Sequence, residues 1–284
     1  MTAPLRIAIP NKGRLEQPTA ALLGDAGLSF ELSRRSLSTL VRNANIEILF
    51  VRADDVPELV ADGVAELGIT GLDLLAESEA PLEVIAKLGY GHCKLAAAAP
   101  TGSDIAGISD FKGLKVATAH PTVTARFFAE KGIGITTIRL RGSVEVAPKL
   151  GVADAIVDLV STGSTMLVNG LRQVATLMQS EAALVALPGT VAGGDSRRVA
   201  TMLRAVIAAR RKRYVLMNAP ADAVNAISDL IPGLEAPTVV PLTAKGLVSI
   251  QSVVAADDVW AILPDLERAG ASGILVLPIQ QLIP

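Results

Sequence analysis

The sequence predicts an α/β protein with two open, largely parallel sheets followed by a small module of two helices and four strands. Three observations carry that expectation. Short apolar runs of strand length alternate with helical segments through the first two hundred residues, and strand–helix alternation implies open parallel sheets. Half of the 284 residues are hydrophobic but only 3% are aromatic, so the core is mostly Ala, Val, Leu and Ile, as in strands buried on both faces. Beyond residue 210 the order becomes strand, helix, strand, strand, helix, strand, which is the ferredoxin-like motif.

Taken in order, residues 5–10, 46–52, 66–70 and 82–88 read as strands, with helices expected at 16–26, 54–61 and 72–77. Asp54 and Asp55 sit where a helix N-terminus favours negative charge, and Pro57 is tolerated in the first turn. A second block repeats the alternation. Residues 94–99, 115–119, 136–140 and 153–160 are expected strands, and 121–131, 144–150 and 166–171 expected helices. The apolar run 182–187 returns as another strand. Gly193-Gly194 reads as a loop tip, and a helical stretch from about residue 195 ends in the solvated run Arg210-Arg211-Lys212-Arg213. The tail follows with strands 214–218, 238–242, 247–254 and 273–279 and helices 222–230 and 257–269, punctuated by Pro220 and Pro232-Gly233. Two α/β blocks with a cleft between them make a bilobed core, and the tail forms a separate small module.

Composition excludes several classes. The net charge of −2 argues against a broad nucleic-acid surface. Cys93 is the single cysteine, so no intrachain disulfide forms and nothing points to an oxidising compartment. His92 and His120 are the only histidines, too few for a structural metal cage. No apolar run approaches the ~18 residues of a membrane span. The first strand begins within about five residues with no apolar leader before it, so a cytoplasmic location is expected.

The stretch Gly151-Val-Ala-Asp-Ala-Ile-Val-Asp-Leu-Val-Ser-Thr-Gly-Ser-Thr165 carries the most chemistry. An apolar strand bearing Asp154 and Asp158 runs straight into a small-residue turn. Backbone N–H groups and hydroxyls of Ser161, Thr162, Gly163, Ser164 and Thr165 can cradle a phosphate. Asp154 and Asp158 can meet ribose hydroxyls or a hydrated Mg²⁺ held between phosphate oxygens, the logic of a phosphoribosyl-diphosphate site. A buried strand with an ordinary Ser/Thr helix cap fits the spacing equally well. Earlier, Pro10-Asn11-Lys12-Gly13-Arg14 forms a strand–loop–helix junction with two cations, either an anion site at the carboxyl end of a sheet or an ordinary loop. No Walker A sequence and no G-x-G-x-x-G fingerprint is present, so any nucleotide is held by another scheme.

These segments resemble the ATP phosphoribosyltransferases of the long form. The matching pieces are residues 10–14, 62–71 (DGVAELGITG), 142–148 (GSVEVAP), 153–165, 232–238 (PGLEAPT) and 270–272. They occur in order along essentially the whole chain. The resemblance implies a two-lobed core like the type II periplasmic binding proteins, residues 1–90 with 182–211 as one lobe and 91–181 as the other, plus a C-terminal ferredoxin-like (βαββαβ) regulatory domain over 212–284. It also implies transfer of the phosphoribosyl group from 5-phosphoribosyl 1-diphosphate to N1 of the adenine of ATP, releasing pyrophosphate, as the first step of histidine biosynthesis.

Under that resemblance Ser161, Thr162, Gly163, Ser164 and Thr165 take the phosphate of the phosphoribosyl group. Asp154 or Asp158, with Glu145 nearby, takes the ribose hydroxyls or Mg²⁺, and Asn11, Lys12, Gly13, Arg14 and Arg52 serve the other anions. Histidine, as feedback inhibitor, is expected against Asn218, Leu234, Thr238, Ala271 and Gly273, with Asn218 standing where some members carry an acidic residue. AMP is a further expected inhibitor, and a homo-oligomer between dimer and hexamer is implied, with neither nucleic acid nor membrane as partner. The competing reading is a non-catalytic bilobed small-molecule sensor, which needs the same two lobes but not the phosphate turn.

Overall fold

The computed structural model describes residues 3–32, 36–161 and 164–283. Thr162 and Gly163 lie outside the described residues, as do the side chains of Ser164 and Thr165. The chain forms two compact units, one built on residues up to 200 and the other on residues from 201 onward together with 25–27.

In the first unit the chain runs β1 (Leu5–Pro10), α1 (Glu16–Asp25), β2 (Ser38–Leu40), β3 (Ile46–Val51), α2 (Val56–Ala61), β4 (Leu67–Gly71), α3 (Leu72–Ser78) and β5 (Glu83–Lys87). It continues through β6 (Cys93–Pro100), β7 (Lys115–Thr118), α4 (Pro121–Glu130), β8 (Thr136–Arg139), β9 (Ala155–Val160), α5 (Ser164–Val168), β10 (Leu171–Ser180), β11 (Ala182–Ala186) and α6 (Gly194–Arg210). The first six-stranded sheet has the order β2-β3-β1-β4-β11-β5, and a five-stranded sheet has the order β10-β6-β9-β7-β8. The chain therefore crosses from one sheet to the other twice, after β5 and after β10.

Both sheets are mixed, not largely parallel. The βα-connected strands pair in parallel, β1 with β3 and β4, and β7 with β8 and β9. The strands flanking each crossing run against them, β11 against β4 and β5, and β6 against β9 and β10. Strand β10, with no counterpart in the sequence reading, breaks register between Gln173 and Ala175 and again between Thr176 and Met178. Such bulges interrupt the period-2 alternation by which a strand is read. The helix expected at 144–150 is a short 3₁₀ turn, Val144–Val146, introduced by Ser143 at φ 51° and followed by Pro148. Gly193-Gly194 opens α6 instead of forming a loop tip.

Packing explains the apolar centres of the two sheets. One face of the second sheet buries Ala96, Ala98, Ile156 and Val160 under Val144, Ala147 and Met166. The other buries Leu95, Ala97, Val116 and Val157 under Phe111, Val123 and Phe128. In the first sheet α2 presses Val56 and Val60 onto β4 at Gly68. A Cβ there would lie 2.5 Å from Val56 Cγ1 and 2.7 Å from Val60 Cγ2, and β-branched side chains have little rotamer freedom to yield. Gly68→Ala is expected to cost about 1–3 kcal/mol through overpacking, read as a lower urea midpoint with an unchanged slope.

The second unit forms β12 (Lys212–Pro220), α7 (Val224–Leu230), β13 (Thr238–Pro241), β14 (Leu247–Ala255), α8 (Val259–Arg268) and β15 (Ser272–Pro278). Its sheet order β13-β14-β12-β15 is antiparallel throughout, the ferredoxin-like arrangement. Val215, Met217, Ala219, Val248 and Ile250 pack on Ile227 and Leu266 of the two helices. Alternate residues on β12 therefore face the helices, as the period-2 pattern requires. Among the described residues no helix is long and apolar enough to cross a membrane.

Candidate active site

Asp73, at the start of α3, gathers several hydrogen bonds and charges in the core. Its side chain is 1% exposed. Ser180, the last residue of β10, donates from Oγ to Asp73 Oδ1 and accepts from Asp73 N at 3.0 Å. His120 Nε2 lies 3.2 Å from Asp73 Oδ2, and Arg14 reaches Oδ1 at 3.4 Å. A carboxylate only accepts, so Nε2 of His120 is the donor in this pair. Burial pushes the Asp73 carboxyl up. The hydrogen bonds from His120 and Ser180, with the charges of Arg14 and His120, outweigh it and hold the group below the usual carboxylate range. Gly71 makes this possible, because a Cβ at that position would lie 2.4 Å from Asp73 Oδ1.

One turn further along α3, Glu77 faces the same neighbour, as i and i+4 positions do. Its two oxygens accept from the backbone N–H groups of Thr122 (2.9 Å) and Val123 (3.0 Å) in the first turn of α4. Two carboxylates of α3, attached to the first sheet, thus grip the start of α4, attached to the second. His120 stands just before α4, 3% exposed, with its backbone N–H donating to Thr118 Oγ1 at 2.9 Å. Its Nδ1 is buried and has no hydrogen-bond partner among the described residues, as is true of Asn11 Oδ1. None of Asp73, Glu77, His120 or Ser180 stands out in the sequence as a site residue. The available signals were an acidic residue inside the apolar run Leu72-Asp73-Leu74-Leu75 and a histidine at the carboxyl end of an apolar strand.

The expected site residues fall into groups. Asp158 lies near the carboxyl end of β9, two residues before Val160. Burial pushes its carboxyl up, the Leu159 N–H (2.8 Å) draws it down, and the Glu145 charge pushes it up again, with His120 opposing; the balance is upward. Glu145 lies half-buried on the 3₁₀ turn. Asp154 is not brought to this end. Its Oδ2 accepts from Lys115 N at 2.8 Å, and its own N–H donates to Lys115 O at 2.8 Å, so it closes the opposite end of the sheet. Four residues of strand separate it from Asp158 by roughly 13 Å. Ser161 is exposed where the chain leaves β9. In the first loop Asn11 donates its backbone N–H to Val51 O at 2.7 Å, Lys12 and Arg52 are exposed, and Gly13 takes φ 80°.

A polar cavity of about 560 Å³ opens beside Ser161, lined also by Leu72, Lys87, Lys94, Gln179 and Glu181. In the second unit Asn218 and Gly273 come together: a Cβ at Gly273, which sits at φ 58°, would lie 3.8 Å from Asn218 Nδ2. Thr238, paired with Gln251 on β14, stands one strand away from β12. Ala271 is buried in the core and Leu234 is exposed.

The class is therefore an α/β core of two mixed sheets, with buried charge where they meet and a polar cavity at strand ends, joined to a βαββαβ unit. Comparison with known proteins narrows it. The family model described as ATP phosphoribosyltransferase matches residues 52–207, and that of the HisG C-terminal domain matches residues 209–281. An ATP phosphoribosyltransferase of Methanococcoides burtonii is 41% identical over 99% of this chain and 100% of its own length. One from Gemmatimonas aurantiaca is 41% identical with the same coverage. Among solved structures, the ATP phosphoribosyl transferase (HisG:HisZ) complex from Thermotoga maritima aligns with TM-score 0.60 at 32% identity, covering 70% of this chain and 98% of that one. The chain belongs to the ATP phosphoribosyltransferase family, pentosyltransferases of histidine biosynthesis.

Proposed function

We propose that the protein joins ATP, through N1 of its adenine, to 5-phosphoribosyl 1-diphosphate, giving N1-(5-phosphoribosyl)-ATP and pyrophosphate, and that histidine inhibits it by binding the second unit. The observation that carries this reading is Asp158 near the carboxyl end of β9, under the charge of Glu145 and three residues before Ser161, where the sequence places the phosphate turn. The adenine nitrogen is itself the nucleophile, so the reaction asks for no serine, cysteine or histidine nucleophile. It asks for two anionic substrates held in line, positioning that is worth ~7–11 kcal/mol. The turn holds the 5-phosphate. Asp158 and Glu145 face the ribose, where an ionised carboxylate stabilises positive character at the reacting carbon. Lys12, Arg14 and Arg52 serve the remaining phosphates.

The residues present also suit Mg²⁺. Burial first, and then the like charge of Glu145, raise the Asp158 carboxyl, a cost that a divalent cation would relieve. No group of three or more His, Cys, Asp or Glu side chains forms a cage among the described residues. The ion would therefore be held mainly by substrate phosphates with one or two carboxylates, where it supplies charge neutralisation for the departing pyrophosphate. Incubation with ATP, 5-phosphoribosyl 1-diphosphate and Mg²⁺ tests the reading. An ultraviolet absorbance rise from the N1-adduct is expected, and its absence with both substrates bound would overturn it.

Asp158→Asn is expected to lower kcat/KM at least tenfold while raising stability slightly near neutral pH. The Asp158 carboxyl is raised in the fold, so its proton favours folding and its ionisation disfavours it. The variant's advantage should therefore shrink as pH falls through the raised value, measured as thermal midpoint against pH. For inhibition, Asn218 lies beside Gly273, and a carboxylate there offers a charge-assisted bond to an amino group. Asn218→Asp is expected to tighten histidine inhibition about fivefold or more without changing turnover in histidine's absence. AMP as a second inhibitor, a cytoplasmic location and a homo-oligomer between dimer and hexamer belong to the same reading.

A further inference from the structure

The antiparallel register of the second sheet brings one more cation to the cavity beside Ser161. Lys94 on β6 pairs directly with Val160 on β9 on one side and with Gln179 on β10 on the other. One step along, Asp158, Ala96 and Thr176 form the next row. Directly paired residues of an antiparallel ladder share a face, so Lys94, Gln179 and Thr176 share the face that carries Asp158. That face is otherwise apolar and covered by Val144, Ala147 and Met166. The polar rows lie at its edge, and Lys94, Gln179 and Thr176 line the 560 Å³ cavity together with Ser161.

The cavity's charges are unequal in availability. Lys87 is engaged by Glu181, whose carboxylate lies 3.8 Å from Nζ and also accepts from Gly89 N at 3.1 Å. The Lys94 side chain forms no ion pair or hydrogen bond among the described residues, although the residue is half-buried. A partly buried, unneutralised ammonium loses hydration unless an anion meets it. The cavity is far larger than one phosphate group needs, and Gln179 supplies two more N–H donors.

We infer that Lys94, with Gln179 and Thr176, forms a polyphosphate subsite adjoining the turn that holds the 5-phosphate. This rests on the phosphoribosyltransferase reading, which supplies two sources for such a group: the diphosphate of the sugar substrate, which leaves as pyrophosphate, and the triphosphate of ATP. The ammonium and the amide take its oxygens, and Ala96 between Asp158 and Thr176 keeps the floor low.

Calorimetric titration of the full-length protein with inorganic pyrophosphate and, separately, with ribose 5-phosphate tests the subsite. Lys94→Met, which keeps most of the stem, should weaken pyrophosphate at least tenfold and leave ribose 5-phosphate within twofold; Lys94→Arg should recover most of the loss. Unchanged pyrophosphate affinity in Lys94→Met, or equal weakening of both ligands, overturns the subsite. If Lys94→Met does not fold, Gln179→Leu, at an exposed position of β10, is expected to weaken pyrophosphate about threefold or more, and no change there overturns it. A rise confined to the Michaelis constant of the sugar substrate assigns the polyphosphate to that substrate, and a rise confined to the constant of ATP assigns it to the nucleotide. If ribose 5-phosphate fails to bind the wild type while pyrophosphate binds through Lys94, the phosphate-turn reading fails and the subsite stands.

Discussion

Asp73→Ala is expected to destabilise the first unit by about 3–5 kcal/mol, the usual cost of removing one partner from a buried ionic cluster. The carboxylate is the common acceptor of Ser180, His120 and Arg14, and its loss leaves both ring nitrogens of the nearly fully buried His120 without a partner among the described residues. Asp73→Asn isolates the charge. The carboxyl is held below the usual range in the fold, so its contribution is fully present above the ordinary aspartate pKa and is lost as pH falls through the lowered value. The gap in denaturant midpoint between wild type and Asp73→Asn should be widest near neutral pH and narrow on acidification below about pH 4. A gap that stays constant from neutral to acidic pH would show that shape, not charge, holds the cluster.

Gly163→Val is expected to lower kcat/KM for the phosphoribosyl donor on the order of 100-fold, the scale of losing one preorganised donor to an oxyanion, with little change in melting temperature. The position lies outside the described residues, so the expectation rests on the sequence: a β-branched side chain in a turn whose backbone N–H groups must approach a phosphate. Thr162→Val should act in the same direction and more weakly. Michaelis constants equal to the wild type in both variants would remove the 5-phosphate from this turn. The two experiments separate what folds the core from what binds substrate.

Much of the architecture was legible because many of its strands are short, mainly apolar runs. The run 182–186, Ala-Ala-Leu-Val-Ala, is apolar and buried throughout, and the tail announces its βαββαβ order through proline and glycine punctuation. Strand β10 was not legible, since its two bulges scramble the alternation of Val174 to Met178. The mixed character of the sheets also escaped the sequence, because strand direction after a crossing is set by which edge the chain reaches, not by local pattern. In the site, the Asp158-to-Ser161 segment was visible as one contiguous motif. The Asp73 cluster was not, because its partners lie 47 and 107 positions away. Asp154 belongs to the same motif in sequence, but its hydrogen bonds with the Lys115 backbone on β7 hold it at the end of the strand away from Asp158.

The double crossing between the sheets sets an order of events during translation. Among the described residues strand β5 pairs only with β11, and β11 lies between β4 and β5, so the first sheet is incomplete until residues 182–186 leave the ribosome. The second sheet is drawn wholly from residues 93–180, one contiguous stretch that emerges earlier. At about 5–20 residues per second, β5 waits roughly 5–20 s for its partner. The interior segment of the chain can thus close its sheet first, and the N-terminal half is then completed by a strand made after it.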